Sequence, residues 1–128
     1  MAERQPDGGD LQMTEEDADD VTIVSVAGRL DTLSSARLSR RLGELLHAGR
    51  TNLLIETSRL TYISSAGIRA LLVAARAAAA NGGRLAVCSM TTPISRVTEL
   101  AGLSAEFETY PSREEALAVI AGSGRSDQ

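Results

Sequence analysis

Two adjacent serines, Ser64 and Ser65, are the residues of this sequence best placed to do chemistry. They stand in "LTYISSAGIRALL", residues 60–72, where an apolar run passes through two hydroxyls and a glycine into an apolar helical pattern. The pattern predicts that both serines lie at the start of a helix. One of them can cap that helix by accepting a hydrogen bond from an unpaired backbone N–H. A single cap needs a single serine, so the second hydroxyl is left to project from the helix amino terminus.

A nucleophilic serine is one chemical alternative to capping. It would need a base, usually a histidine, that is oriented by a carboxylate. The segment lacks the G-x-S-x-G turn of serine hydrolases. The chain has one histidine, His47, which lies roughly opposite the leucine stripe of its predicted helix and therefore at the surface. We expect no catalytic residue and no enzymatic activity.

The other alternative is that one of these serines accepts a phosphoryl group. A helix amino terminus favours a phosphate by about 0.3–1 kcal/mol. That is small beside the stability of a domain, about 5–15 kcal/mol, so the modification should leave the fold intact. Its effect should appear where the surface is pressed against a partner, because about two added negative charges bring repulsion and a desolvation cost. Another protein would read such a switch.

Composition and charge exclude several further classes of function. The 128 residues carry a net charge of −4 without a basic cluster, and aromatic residues make up 2%. We therefore expect no nucleic-acid partner, since that would call for a basic surface or stacking platforms. No apolar stretch reaches the length of a membrane span, and "MAERQPDGGD" lacks the apolar segment of a signal peptide. These features predict a cytosolic protein that is not inserted into a membrane.

The sequence offers no metal site and implies no cofactor. One cysteine, Cys88, excludes an internal disulfide, and its place in the apolar run "LAVCSM" predicts a buried thiol. The acidic run "EEDADD", residues 15–20, lacks the glycine and glutamate that a calcium-binding EF-hand loop requires. We interpret it as a solvated loop between two strands.

The remaining segments predict an α/β domain. Strands alternate with helices, which indicates a mixed, mostly parallel sheet of four or five strands with about four helices. The predicted strands are "LQMT", "VTIVSVAG", "NLLIE" (52–56), "RLAVCSM" and "FETY". The predicted helices are 34–50 with Gly49 at its end, the helix that begins in "LTYISSAGIRALL" and runs through about Ala80, "TPISRVTELAG" and "SREEALAVIAG". Residues 11–121 form the predicted domain, between flexible ends at 1–10 and 122–128.

Sites in sheets of this kind gather where strand carboxyl ends meet helix amino ends. Two loops satisfy that description, "GRLDT" after the second strand and "TYISSAG" before the Ala-rich helix. Arg69, on the flank of that helix, has two interpretations. It either contacts a partner or covers apolar surface as a solvated side chain.

From about Val21 to Ile120 the chain resembles the STAS domain family, in its anti-sigma factor antagonist branch. The resemblance rests on motifs in a fixed order: "VAGRLDTLSSARL", "LLIETSRLTYISSAGIRALL", "GGRLAV", "VTELAGL" and "YPSREEALA". It implies a single STAS-like domain that binds an ATP-dependent anti-sigma factor kinase when unmodified, and so frees a sigma factor. The kinase then phosphorylates a serine, the complex separates, and a protein phosphatase resets the switch.

The resemblance also implies site residues. The usual loop of the family reads Asp-Ser-Ser/Thr-Gly, and alignment on Gly67 places the acceptor at Ser65, Ser64 at the Asp position and Ala66 at the second hydroxyl position. Ser64 is the second candidate acceptor, since it brings a hydroxyl where the family has a carboxylate. Asp31 matches the end of the family's G-x-L-D segment and is expected beside the acceptor. The expected partner-binding residues are Asp31, Ser64, Ala66, Gly67 and Arg69.

Two other functions remain open at the level of sequence. The chain could be a constitutive scaffold that never uses Ser65, such as the STAS subunit of a lipid-transporting ABC complex. An enzyme is the third possibility, which the missing base disfavours.

Overall fold

The computed structural model describes residues 11–102 and 107–125, which form five strands and four helices. In chain order they are β1 (Gln12–Ala18), β2 (Val21–Leu30), α1 (Thr32–His47), β3 (Asn52–Ile63), α2 (Ser65–Ala80), β4 (Arg84–Cys88), α3 (Thr92–Leu100), β5 (Glu108–Tyr110) and α4 (Arg113–Arg125). The strands form one sheet in the order β1-β2-β3-β4-β5. β1 is antiparallel to β2, and the other neighbours are parallel. The predicted α/β fold with a mixed, mostly parallel sheet is confirmed.

The core has two layers, one on each face of the sheet. α1 and α2 pack their apolar stripes on one face. The sequence predicts a stripe of Leu38, Leu42, Leu45 and Leu46 on α1; the first three are buried, and Leu46 is partly buried against the same cluster. α4 covers the other face and belongs to a smaller cluster that includes Cys88. Successive β3 residues alternate between the clusters, as expected of a strand that is buried on both faces. The thiol of Cys88 is fully buried, as predicted.

The interpretation of residues 15–20 as a solvated acidic loop is wrong. Strand β1 continues to Ala18, and the turn is reduced to Asp19 and Asp20. Three acidic side chains of β1 pair with arginines from other elements, and this charge neutralisation lets an acidic segment run along a sheet edge. The pairs are Glu15–Arg41, Glu16–Arg113 and Asp17–Arg50.

Two further element ends differ from the prediction. β3 does not stop at residue 56 but runs to Ile63, because its second half pairs with β2 beyond an irregularity between Ser25 and Ala27. α4 extends to Arg125, so the domain end predicted at 121 falls inside this helix. The predicted flexible segment 1–10 and the last three residues, 126–128, of the predicted flexible tail at 122–128 lie outside the described residues.

Candidate functional site

The carboxyl ends of β2 and β3 bring the two predicted loops together. Leu30 and Ile63 are register partners at these ends, and α1 and α2 begin immediately afterwards. The carbonyl oxygen of Leu30 accepts hydrogen bonds from the Ser64 backbone N–H at 2.9 Å and from the Ser64 hydroxyl at 3.0 Å. The two predicted loops therefore lie at the carboxyl ends of neighbouring strands, each directly before a helix. That they form the functional site stays a prediction.

Ser64 is the cap of α2. Its Oγ accepts a hydrogen bond from the backbone N–H of Gly67 at 3.1 Å while its hydroxyl donates to Leu30. The first bond satisfies one of the unpaired donors at the helix start. The second fastens α2 to the end of β2. Both functions of the Ser64 hydroxyl are thus structural.

Ser65 is the first residue of α2 and differs from Ser64 in its exposure and in its hydrogen bonding. Its side chain is exposed. Its Oγ makes no hydrogen bond to any residue that the structure describes. Of the two adjacent hydroxyls, the one on Ser65 is the one that solvent and a docking protein can reach.

Asp31 caps the neighbouring helix α1. Its carboxylate accepts hydrogen bonds from the backbone N–H and the hydroxyl of Ser34, both at 3.0 Å, and Ser34 accepts one in return from the Asp31 N–H at 2.9 Å. The hydrogen bond from the Ser34 backbone, followed by that from its hydroxyl, lowers the pKa of the Asp31 carboxyl. Asp31 therefore stays ionised while it holds the start of α1, and it directly follows Leu30, whose carbonyl oxygen binds Ser64. Its place beside the acceptor stays a prediction.

Gly67 allows the first turn of α2 to approach β2 and β3 closely. A Cβ atom at this buried position would lie 2.8 Å from Leu30 Cγ and 3.0 Å from Ile63 Cγ1. Both distances are shorter than ordinary carbon contacts of about 3.5–4.0 Å. The glycine is needed for space, since its backbone has an ordinary helical conformation.

A groove separates α1 from α2 directly below the site, and we call it the α1–α2 groove. Its cavity volume is about 320 Å³, and the residues that line it include Thr32, Ser35, Ser39, Ala66, Arg69 and Val73. Arg69 is exposed and is the one charged residue among those lining it. Val73, which lines the groove, is apolar and 53% exposed, and Leu33, next to the lining residue Thr32 at the start of α1, is 65% exposed.

Ser35 and the two exposed apolar residues are site features that sequence reasoning missed. Ser35 is 3% exposed, and its Oγ has no hydrogen-bond partner among the described residues. Its burial depends on the packing of α1 against α2, which no local pattern reveals. Leu33 could have been found from the sequence, because it is an apolar residue that lies outside the leucine stripe of α1.

The family model for the STAS domain matches residues 12–116. The chain belongs to the STAS domain family. Two relatives of this STAS domain are BtrV of Bordetella bronchiseptica and RsfB of Mycobacterium tuberculosis, named as an anti-sigma factor antagonist and an anti-sigma-F factor antagonist. BtrV is 28% identical over 110 residues, which cover 86% of this chain and 95% of BtrV. RsfB is 25% identical over 118 residues, which cover 92% of this chain and 95% of RsfB.

The fold of the STAS domain also matches solved structures. The structure of an anti-sigma factor antagonist from Mycobacterium paratuberculosis superposes with a TM-score of 0.81 and is 24% identical in sequence. The match covers 92% of this chain and 98% of the other.

The geometry of the STAS domain does not assemble a serine hydrolase. His47 is exposed and is the last residue of α1, whereas Ser64 and Ser65 lie beside the start of that helix. A helix of 16 residues is roughly 24 Å long, so the imidazole is far from both hydroxyls. Within residues 11–102 and 107–125, no cluster of acidic, histidine or cysteine side chains is placed to hold a metal ion. No helix in the same ranges has both the length and the apolar character to cross a bilayer.

Proposed function

We propose that this STAS domain is a cytosolic anti-sigma factor antagonist that phosphorylation of Ser65 switches off. The observation that supports the proposal is the different structural state of the two serines. Ser64 is committed to the helix cap, while Ser65 presents an exposed hydroxyl without a partner among the described residues. BtrV and RsfB, both named as antagonists and both matched over most of their length, support the assignment.

In the unmodified state, the surface around Ser65 would bind an ATP-dependent anti-sigma factor kinase and release its sigma factor. The exposed side chains of Ser65 and Arg69 would touch the kinase, together with the half-buried Ala66. Asp31, Ser64 and Gly67 would act in binding by fixing the shape of this surface. The exposed Leu33 and Val73 add the apolar area that a docking protein can desolvate.

Phosphorylation would transfer the γ-phosphoryl group of ATP to Ser65 Oγ. The new O–P bond forms as the bond to the leaving ADP breaks, and the hydroxyl proton passes to a base of the kinase. About two negative charges would then stand where the kinase had docked, and repulsion and desolvation would separate the complex. A protein phosphatase would restore the hydroxyl by hydrolysis.

Complex formation with the anti-sigma factor kinases of the source organism tests this function. The purified domain is mixed with each kinase in ADP and then in ATP, and the complex is followed by size-exclusion chromatography. The wild type should form a complex in ADP that disappears in ATP. Ser65→Ala should form the same complex in both nucleotides. Ser64→Ala is the matched control, and its complex with the kinase should still dissociate in ATP.

Two results would contradict the proposal. One is a Ser65→Ala complex that ATP separates as readily as the wild-type complex. The other is a stable complex with a membrane ATPase that ATP and Ser65→Ala leave unchanged, which would favour the constitutive scaffold.

A further inference from the structure

The spacing of Ser65 and Arg69 places their side chains on the same face of α2. Both residues belong to the helix, four positions apart, and residues at i and i+4 are neighbours on a helix surface. Side chains of a helix lean towards its amino terminus. The Arg69 side chain therefore leans towards the turn that carries Ser65, with the acceptor position N-terminal to the cation, which is the favourable order.

Arg69 is available for a new partner. It is exposed and makes no ion pair or hydrogen bond with the residues that the structure describes. It is also the one charged residue that lines the α1–α2 groove, where the buried Ser35 Oγ lacks a hydrogen-bond partner within the described residues. Neither α1 nor α2 carries an acidic residue in its first turn. The lining of the groove thus carries one cationic side chain and no acidic one, which suits it to an anionic group, while the Asp31 carboxylate is bound to Ser34 as the cap of α1.

Other charged groups near this end of the sheet are already engaged. The Asp31 carboxylate accepts hydrogen bonds from Ser34. The Arg29 guanidinium lies over the ring of Tyr62, 4.1 Å from its centre. Arg69 is the cation at helical spacing from Ser65 that has no such partner in the described part of the chain.

We propose that Arg69 captures the phosphate of phosphorylated Ser65 within the same helix and is thereby withdrawn from the α1–α2 groove. This inference rests on the proposed function, because it requires the phosphate to be on Ser65. In the unmodified protein, the guanidinium is free to bind a carboxylate of the docking protein. Phosphorylation then acts in two ways: it adds negative charge, and it occupies the cation that the partner would use.

The test uses protein in which phosphoserine is incorporated at position 65 during translation, so it does not depend on any kinase. Titration of the phosphate is followed by phosphorus NMR. Free phosphoserine has a second pKa of about 6, and a nearby guanidinium favours the dianion and lowers that pKa. We expect Arg69→Gln to raise the phosphate pKa by about 0.2–0.4, as a helix ion pair of this spacing would. The matched control, Arg96→Gln on α3, should leave it unchanged.

A second measurement separates capture from a purely structural role of Arg69. Melting temperatures are compared for the wild type and Arg69→Gln, each with serine or phosphoserine at position 65. With serine at position 65, the wild type and Arg69→Gln should have the same melting temperature. With phosphoserine at position 65, Arg69→Gln should have a lower melting temperature than the protein that keeps Arg69. The same phosphate pKa in wild type and Arg69→Gln would overturn the inference, as would an equal loss of melting temperature with and without the phosphate. Absence of phosphate from Ser65 in cells would instead refute the proposed function.

Discussion

At the scale of single residues, two neighbouring serines acquire opposite roles because only one can occupy the cap position. The backbone of Ser64 is extended, at φ −93° and ψ 171°, which turns its oxygen towards the N–H of Gly67. Ser65 already has helical geometry and points outward. A difference of one position therefore decides between a hydroxyl that is hydrogen-bonded within the fold and one that is exposed without a partner among the described residues.

This division predicts different stabilities for two alanine variants. Ser64→Ala removes the cap of α2 and its hydrogen bond to Leu30, and should lower the free energy of unfolding by about 1 kcal/mol. Ser65→Ala removes no hydrogen bond to a described residue and should stay within about 0.5 kcal/mol of the wild type. Urea unfolding followed by circular dichroism measures both. Equal losses in the two variants would contradict the assignment of the cap.

Alanine substitutions at Gly67 and Gly43 form a second pair of variants with opposite expected effects on stability. Gly67→Ala would place a Cβ 2.8 Å from Leu30 Cγ in the core, and overpacking of about 1–3 kcal/mol should exceed the gain of up to about 1 kcal/mol in helix propensity. Gly43→Ala in α1 meets nothing within 4 Å and should stabilise the protein by up to about 1 kcal/mol. Thermal unfolding of the two variants checks the opposite signs. A Gly67→Ala variant that melts higher than the wild type would refute the packing argument.

At the scale of elements, the sequence predicts the helix ends that neighbouring residues determine. It does not predict features that depend on residues far away in the chain. The start of α2 and the role of Gly49 at the end of α1 follow from caps and glycine, and both are confirmed; Gly49 has φ of +90°. The length of β1 could not be predicted, since its acidic residues are paired by arginines 26, 33 and 97 positions away. The groove depends in the same way on contacts between α1 and α2.

An ion pair joins the short strand β5 to its neighbour β4. Arg84 donates two hydrogen bonds to the Glu108 carboxylate, at 2.6 and 3.0 Å, and the Tyr110 hydroxyl donates a third at 2.8 Å. Burial alone would raise the pKa of Glu108, but the hydrogen bonds from Arg84 and Tyr110 outweigh it and hold the pKa below the ordinary value of 4.5. The ionised form of Glu108 is therefore the one that stabilises the folded state.

The sign of this pKa shift predicts how the stability depends on pH. A lowered carboxyl pKa contributes stability that is present above about pH 4.5 and is lost as the pH falls through the folded-state value. Glu108→Gln should cost about 0.5 kcal/mol at pH 7, since the pair is partly exposed, and the difference from wild type should shrink below pH 4.5. Urea unfolding across this range checks it, with Glu99→Gln on α3 as the control. A difference that grows as the pH falls would contradict the assignment.

At the scale of the whole molecule, the fold and the proposed switch are separated energetically. The candidate site lies at the end of the sheet, and the Ser65 hydroxyl makes no hydrogen bond to the described residues. A negative charge at the first residue of α2 interacts favourably with the helix amino terminus, by about 0.3–1 kcal/mol. The STAS domain can therefore change its surface charge without losing its structure.

Ser65→Asp tests that separation. The variant should unfold within about 1 kcal/mol of the wild type, because the carboxylate is exposed and lies at the favourable end of the helix. It should nevertheless bind the kinase less tightly than Ser65→Ala. Calorimetric melting and a binding titration measure the two properties on the same samples. A large fall in melting temperature for Ser65→Asp would show that the position supports the fold.

The position of the phosphoryl group is the most direct test of the switch. The domain is incubated with the kinase that binds it and with ATP, then digested and mapped by fragmentation mass spectrometry. We predict one phosphoryl group on Ser65 and none on Ser64, and no incorporation in Ser65→Ala. A phosphoryl group on Ser64, or failure of the bound kinase to modify either serine, would contradict it.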